Sequence, residues 1–130
     1  MVSLFPTLSI ATSGMNVDQL WLNTIGGNVA NASDVTTPGK PVYQAQYVTA
    51  RPNAAGGVGA VSIALGSPKG VLEYEPKNPL ANAAGYVAAP AVSMATEMVG
   101  LTTAQSEYQA NAAVIKDATA AYQAALTIGS

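Results

Sequence analysis

The chain has 130 residues, of which 9% are charged and 6% aromatic, and its formal net charge is -2. This length suits one domain, or a small domain with helical extensions. Its five basic residues are scattered, so they form no basic patch for nucleic acid or for an anionic membrane. The absence of cysteine excludes disulfides and thiolate chemistry. Ordinary soluble domains carry about a quarter charged residues, so we expect partner proteins to bury part of this surface.

The amino-terminal segment 2–17 is mildly apolar but differs from a secretory signal. The first basic residue of the chain is Lys40, so a positively charged n-region is absent, and polar residues interrupt the apolar stretch. No run approaches the roughly 20 apolar residues of a membrane-spanning helix. We therefore expect no cleaved signal peptide and no membrane insertion.

Residues 8–32 predict the first helix. Asp18 is the single mismatch on its apolar face, which consists of Leu8, Ala11, Met15, Leu22, Ile25, Val29 and Ala32. Gly14, Gly26 and Gly27 each weaken a helix by up to about 1 kcal/mol relative to Ala. Their presence fits either tolerated flexibility or a close approach of another backbone at these points, and of the two we favour the close approach. Turn-forming residues between 31 and 39 end the helix.

The middle of the chain changes to a period of two. Alternation of apolar and polar residues predicts three short strands, within 42–49, 61–65 and 72–74. The glycines of segment 56–59 mark a loop, and Pro68 marks a turn. Pro76 and Pro79 close the region.

Residues 94–128 predict one long helix of roughly 50 Å, with Pro90 as a stop just before it. A spacing of alternating three and four residues gives a seam typical of helix-on-helix packing, formed by Met98, Leu101, Gln105, Tyr108, Ala112, Ile115, Thr119, Tyr122 and Leu126. We expect Ile115 to pack against the first-helix face that contains Leu22, Ile25 and Val29.

The side of this helix opposite the seam is also uncharged. It is predicted to carry a second stripe of small residues, Ala104, Val114, Ala118, Ala121 and Ala125. A solvated helix usually has a charged back, whereas this one has only four charged residues, Glu97, Glu107, Lys116 and Asp117. The pattern indicates neighbours on more than one side.

These elements predict a mainly α fold with a small β insert (α+β). Long amino- and carboxyl-terminal helices would pair in a coiled-coil-like arrangement, with short antiparallel strands between them. The expected division is an amino-terminal helix of the core domain at 1–35, a small β-rich insert with loops at 36–90, and a carboxyl-terminal helix of the core domain at 91–130.

Candidate catalytic groups are few. Glu73 and Glu75 share one strand face and are the one acid pair that could serve acid–base catalysis, but acids at i and i+2 usually form the wet side of a strand. Gly56, Gly57 and Gly59 lack the helix and the lysine of a phosphate loop. The carboxylates form no metal-binding set. We therefore expect no enzymatic activity, no cofactor and no metal.

Motifs at both ends of the chain resemble the bacterial flagellar rod and hook family of axial proteins. The amino-terminal motif comprises Ser13, Gly14, Met15, Leu22, Asn23, Asn28, Val29, Ala30, Asn31, Thr37, Pro38 and Gly39. The carboxyl-terminal motif resembles the proximal rod members and comprises Asn78, Pro79, Leu80, Ala81, Gly85, Tyr86, Val87, Pro90, Glu97, Met98, Val99, Tyr108, Gln109, Ala110 and Asn111. The chain departs from the family pattern at Ala91 and Ser93, where Asn and Asp are typical, and at Glu107, where a basic residue is frequent.

This resemblance implies a structural subunit of the proximal rod, the drive shaft of the flagellar basal body. Such a subunit leaves the cytoplasm through the flagellar export apparatus, lies in the periplasm of a two-membrane cell, assembles through its terminal helices and transmits torque. The implied partners are other rod proteins and copies of the chain in a tube, with no nucleic acid. The seam and the family motif together give the expected assembly residues: Leu22, Ile25, Asn28, Val29, Asn31, Met98, Leu101, Tyr108, Asn111, Ile115, Tyr122 and Leu126.

Two other classes stay open at this point. A helical component of a secretion-system needle or tip would share the helices, but it would leave the strands and the paired end motifs unexplained. A small ligand-binding α+β domain would need convergent polar groups around an apolar pocket, and the sequence offers none.

Overall fold

The computed structural model describes residues 4–129. The chain begins and ends with a long helix, α1 (Leu4–Asn31) and α2 (Met94–Ile128). Four strands lie between them along the sequence: β1 (Gln46–Pro52), β2 (Val58–Leu65), β3 (Val71–Tyr74) and β4 (Tyr86–Ala89). This order confirms the predicted mainly α fold with a small β insert. The predicted start and end of the long carboxyl-terminal helix agree with α2, whereas α1 begins four residues earlier than predicted.

α1 and α2 pack against each other in antiparallel orientation. Asn28 near the end of α1 contacts Glu97 near the start of α2, with 3.2 Å between the amide nitrogen and the carboxylate oxygen. At the opposite end, the rings of Phe5 and Tyr122 form an edge-to-face pair with centroids 6.4 Å apart. The buried apolar side chains on the described parts of the two helices are Ala11, Ile25, Ala104 and Ala118, and three of these four are alanine.

The buried line on α2 is offset from the predicted seam. Ala104 is 0% exposed although it was predicted on the opposite stripe, and Ala118 is buried as well. Met98, which was predicted in the seam, is 50% exposed. The prediction was therefore wrong for Ala104, Ala118 and Met98, whereas Leu101, Tyr108 and Ile115 of the seam are half-buried. At the start of α2 the inner position belongs to Glu97 and not to Met98, because the Glu97 carboxylate accepts a hydrogen bond from the buried Asn28.

The antiparallel register also corrects the expected neighbours of Ile115. A Cβ built on Gly100 would lie 3.2 Å from the Ile25 side chain, so Ile25 faces the first part of α2. Ile115 lies between Asn111, which is beside Gly14, and Tyr122, which is beside Phe5. It is half-buried at the level of the first half of α1, and the prediction that it packs against Leu22, Ile25 and Val29 of the same chain is wrong.

The strands form two separate antiparallel pairs, β1 with β2 and β3 with β4. β1 begins at Gln46, later than predicted, and a turn containing Gly56 and Gly57 in left-handed conformation (φ 90° and 78°) joins it to β2. β4 was missed by the sequence analysis. Its residues are all apolar or aromatic and three of the four are buried, so they lack the alternation that marks a half-exposed strand.

Ser93 forms the amino-terminal cap of α2. Its hydroxyl oxygen accepts a hydrogen bond from the backbone N–H of Thr96 at 3.4 Å, and its backbone is extended as a capping residue requires. This serine is one of the departures from the family pattern. Serine and aspartate are comparably good caps, so the departure keeps the helix start in place.

Candidate assembly interface

Asn28 links three parts of the fold. Its side chain is 1% exposed, and its amide oxygen accepts hydrogen bonds from the backbone N–H of Gln46 at 2.8 Å and from the Tyr43 hydroxyl at 3.1 Å. Its amide nitrogen donates to the Gln46 carbonyl at 2.9 Å and to the Glu97 carboxylate at 3.2 Å. One side chain therefore joins α1, the start of β1 and the start of α2.

The two hydrogen bonds between the Asn28 carboxamide and the Gln46 backbone resemble the pair of backbone hydrogen bonds between residues of neighbouring strands. A carboxamide offers one donor and one acceptor group, as a peptide group does, so Asn28 takes the place of a strand beside the first residue of β1. This leaves the Gln46 backbone satisfied on the side that faces α1. The same network encloses the Glu97 carboxylate, and burial, followed by the negative charge of Glu97, raises the pKa of Tyr43 above its usual 10.0.

A second polar contact lies near the middle of the helix pair. The Asn111 amide donates to the buried carboxylate of Asp18 at 3.0 Å, and a Cβ at Gly14 would come within 2.7 Å of the Asn111 amide nitrogen. Gly14 thus provides the space for Asn111 to reach Asp18. Burial first, and then the charge and hydrogen bonding of Asp18, raise the pKa of Glu107 above its usual 4.5.

The three glycines of α1 have different neighbours. At Gly14 the close neighbour is the Asn111 side chain rather than another backbone, and at Gly27 it is the Tyr43 hydroxyl, 3.3 Å from a built Cβ. A Cβ at Gly26 meets nothing within 4 Å. Close approach is therefore present at Gly14, is weaker at Gly27 and does not occur within the described chain at Gly26.

The predicted assembly residues divide by burial. Two are buried inside the subunit, Ile25 and Asn28. Seven are half-buried, namely Leu22, Val29, Asn31, Leu101, Tyr108, Asn111 and Ile115. Three are exposed, namely Met98, Tyr122 and Leu126. The exposed members have side chains that another subunit can contact.

Large apolar side chains are exposed along both helices. We call them the exposed helix set: Phe5, Ile10, Met94, Met98, Val99, Val114, Tyr122, Leu126 and Ile128. Ile128 is 87% exposed, and every α2 residue from Thr119 onward is exposed. Monomeric proteins seldom leave so much apolar surface in contact with water, and such surfaces mark interaction sites.

Sequence reasoning missed part of the polar network inside the subunit. The sequence identifies Asp18 only as a mismatch on an apolar face, and it identifies Glu97 as a charge on α2 and a member of the carboxyl-terminal motif, without a partner for either residue. The available signal was a polar residue on each apolar helix face, because buried polar groups require partners. Among the described residues, no buried side-chain nitrogen or oxygen lacks a hydrogen-bond partner.

The acidic pair of the sequence analysis can also be located in the structure. Glu73 and Glu75 are exposed on and just after β3, and Glu75 accepts a hydrogen bond from Asn78 at 2.7 Å. Residues 4–129 contain no group of three or more carboxylate, histidine or cysteine side chains placed to hold a metal ion. Neither helix in this range has the length and hydropathy needed to cross a bilayer.

Comparison with known proteins agrees with the motifs at both ends. Residues 83–128, which include β4 and all of α2, match a family model described as flagellar basal body rod FlgEFG protein C-terminal. The flagellar basal-body rod proteins FlgC of Escherichia coli O157:H7 and of Salmonella typhimurium strain LT2 are each 36% identical over 133 aligned positions, which cover 98% of this chain and 99% of the relative. FlgC of Borreliella burgdorferi is 28% identical, with 98% of both chains covered.

The similarity covers the helices and the β insert alike, so it concerns the whole fold and not one motif. The relatives carry the name of a structural component of the rod. The chain belongs to the FlgC family of flagellar basal-body rod proteins.

Proposed function

We propose that the chain is a subunit of the proximal rod, that it assembles into a tube through the exposed surfaces of its terminal helices, and that it transmits torque through this packing. Its family membership makes it a structural component of the basal-body rod and displaces the needle and ligand-binding alternatives. We further propose that its partners are other rod proteins and copies of itself, and that it has no catalytic activity.

The observation that carries this proposal is the exposed helix set. Met98, Val99, Leu126 and Ile128 are each at least half exposed. Complete burial of one such side chain contributes about 1.5–3 kcal/mol. A subunit in a tube contacts neighbours on several sides, which accounts for apolar residues distributed around α2 instead of confined to one stripe.

Export without a cleaved signal is part of the same proposal. The amino-terminal segment has no basic residue before Lys40, whereas a secretory signal needs a positive n-region. α1 begins at Leu4, so most of that segment belongs to the helix that packs against α2. Removal of a signal peptide of about 15–30 residues, the usual length, would delete a large part of α1, because α1 spans Leu4–Asn31.

The proposed helix contacts can be tested with Leu126→Asp. Leu126 is exposed at the far end of α2, so the variant keeps the fold and the thermal midpoint of the free chain, while a carboxylate in the subunit interface prevents assembly. Ser67→Asp is the matched control, because it adds the same charge at an exposed turn without removing apolar surface. Electron microscopy of basal bodies should show no complete rods with Leu126→Asp and normal rods with Ser67→Asp. Normal rods in both strains would contradict the proposed helix contacts.

A further inference from the structure

β2 has one edge that no part of the described chain covers. The backbone N–H of Gly66 donates to the Ala45 carbonyl at 2.7 Å, and the register pairs Gln46 with Leu65 and Val48 with Ile63. Hydrogen-bonded and non-hydrogen-bonded pairs alternate in an antiparallel ladder, so the N–H and C=O groups of Leu65, and likewise of Ile63, point away from β1. The bonds of Gln46 to Asn28 on its other side confirm this phase.

β3 has a free edge for the same reason. Glu75 donates its N–H to the Gly85 carbonyl at 2.9 Å, and Leu72 lies opposite Ala88. Ala88 exchanges both of its backbone hydrogen bonds with Thr36 instead, at 2.8 and 2.9 Å. The backbone groups of Leu72 and Tyr74 therefore point outward, away from β4.

The segment 61–65 of β2 carries little of the usual protection against pairing. Natural edge strands carry charged residues, proline or a bulge that blocks the addition of another strand. The sequence of β2, VGAVSIAL, contains no charged residue and no proline, and the shift in its register with β1 lies between Arg51 and Pro52, outside this segment. Its residues Val61, Ile63 and Leu65 are exposed on one face, and on β3 Leu72 and Tyr74 are 59% and 65% exposed. A two-stranded sheet is marginally stable on its own, so an added strand stabilises each pair.

We propose that β2 of one copy pairs with β3 of a second copy, edge to edge and antiparallel, and forms a four-stranded sheet across the subunit contact. Pairing of outward-facing residues fixes the phase, and the register that we propose within this phase sets Ile63 opposite Leu72 of the second copy and Val61 opposite its Tyr74. This register keeps the apolar residues of both edges on one face. A parallel arrangement places Glu73 of the second copy beside Ile63 instead, because the side chains shift by one residue.

Charge complementarity supports a second copy as the occupant. Arg51 is the one charged residue of the β1–β2 pair, and it shares a face with Thr49 and therefore with Ser62, the pairing partner of Thr49. In the antiparallel register, Glu73 of the second copy lies beside Ser62 on this same face. Its Glu75 lies two residues further along, opposite residue 60, which pairs with Arg51. The basic group of one pair thus lies on the same face as the acidic groups of the other, one strand away.

The contact is heterologous, since one subunit uses β2 and the other uses β3. Heterologous contacts generate rings or helical filaments, as a tubular rod requires. The inference therefore rests on the proposed function and adds the surface through which adjacent copies join. Within the described residues, β2 and β3 of one chain do not contact each other, so a link between them must join two chains.

Cysteine cross-linking tests the pairing, since the chain has no native cysteine. The double variant Ile63→Cys with Leu72→Cys places the two Cα atoms about 5.5 Å apart in the proposed sheet, within the range of a disulfide. Basal bodies isolated after mild oxidation should give a ladder of linked chains on a non-reducing gel. The matched control, Ile63→Cys with Glu73→Cys, places the two side chains on opposite faces and should stay monomeric. Ile63→Cys alone tests symmetric β2–β2 pairing, which would give dimers.

The outcomes separate the inference from the proposed function. Rods that contain the double variant only as monomers, or a ladder in the Glu73 control, overturn the proposed pairing and leave the rod assignment intact. Wild-type rods without the chain overturn both. If the double cysteine variant does not enter rods, the variant Ile63→Lys tests the pairing instead. The thermal midpoint of the free Ile63→Lys chain should match that of the wild type, while the amount of this variant in isolated rods should fall at least tenfold. An unchanged amount in rods overturns the pairing.

Discussion

Asn28 belongs to the amino-terminal motif, and its hydrogen bonds lie within the subunit. The sequence marks it as part of a motif, but periodicity places it next to an apolar helix face and gives no partner. The structure supplies the partners, Gln46, Tyr43 and Glu97, which are 15 to 69 residues away along the chain. Such distant polar contacts cannot be predicted from local spacing, because they depend on the antiparallel register of the helices.

Replacing Asn28 by Ala should destabilise the free subunit by about 2–3 kcal/mol. The change removes the bonds that satisfy the Gln46 backbone and the buried Glu97 carboxylate, and unsatisfied buried groups cost about 1–3 kcal/mol each, with partial rescue by water. Urea unfolding followed by circular dichroism measures the loss. Asn23→Ala is the control on the same helix, since Asn23 is exposed and bonds only Gln19 among the described residues. A loss of similar size in both variants would contradict the role given to Asn28.

Gly14 and Gly26 give a matched test of helix packing. Gly14→Ala gains up to about 1 kcal/mol of helix propensity but displaces Asn111 from the Asp18 carboxylate, and hydrogen bonds to charged groups contribute about 1.5–3 kcal/mol. The net effect should be destabilising by about 1 kcal/mol. Gly26→Ala meets open space and should stabilise the free chain by up to about 1 kcal/mol. Thermal melts of both variants should therefore shift in opposite directions, and a stabilised Gly14→Ala would show that Asn111 does not hold Asp18.

At the scale of the elements, the sequence predicts α2 well and its buried face less well. Helical periodicity, Pro90 and the length of the run define the helix from Met94 to Ile128. The seam is half-buried at Leu101, Tyr108 and Ile115. It was wrong at Met98, which is exposed, as Leu126 also is. Hydropathy alone does not mark the inner face of α2, because exposed and half-buried positions are equally apolar. β4 was missed for a related reason, since full burial removes the alternation.

The helix pair should become less stable as the pH rises above the ordinary pKa of Glu107. The folded chain raises this pKa above 4.5 through burial and through Asp18 on the facing helix. Because the pKa of Glu107 is higher in the folded chain than in the unfolded chain, protonation of Glu107 stabilises the fold. This contribution is fully present below pH 4.5 and is lost as the pH rises through the pKa of the folded chain. Glu107→Gln should therefore lessen the decrease in melting temperature above pH 4.5. Equal profiles in the wild type and Glu107→Gln would show that Glu107 and Asp18 are not coupled.

At the scale of the whole molecule, the free subunit should be open to proteolysis at the end of α2. Tyr122 and Leu126 are 45% and 56% exposed, while Tyr108 is half-buried against α1. Brief chymotrypsin digestion of the free chain should cut after Tyr122 and Leu126 before it cuts after Tyr108, as mass spectrometry of the fragments will show. The same sites should be protected in isolated rods. Equal cleavage of free and assembled chains would mean that this end of α2 stays uncovered.

Electron cryomicroscopy of basal bodies from the native cell is the direct test of assembly through the terminal helices. We expect density for this chain in the wall of the proximal rod, with its amino-terminal helix intact, its α1–α2 pair packed side by side with neighbouring subunits, and Leu126 buried between them. A map in which the proximal rod is complete without this chain, or in which the exposed helix set faces solvent, would contradict this assembly.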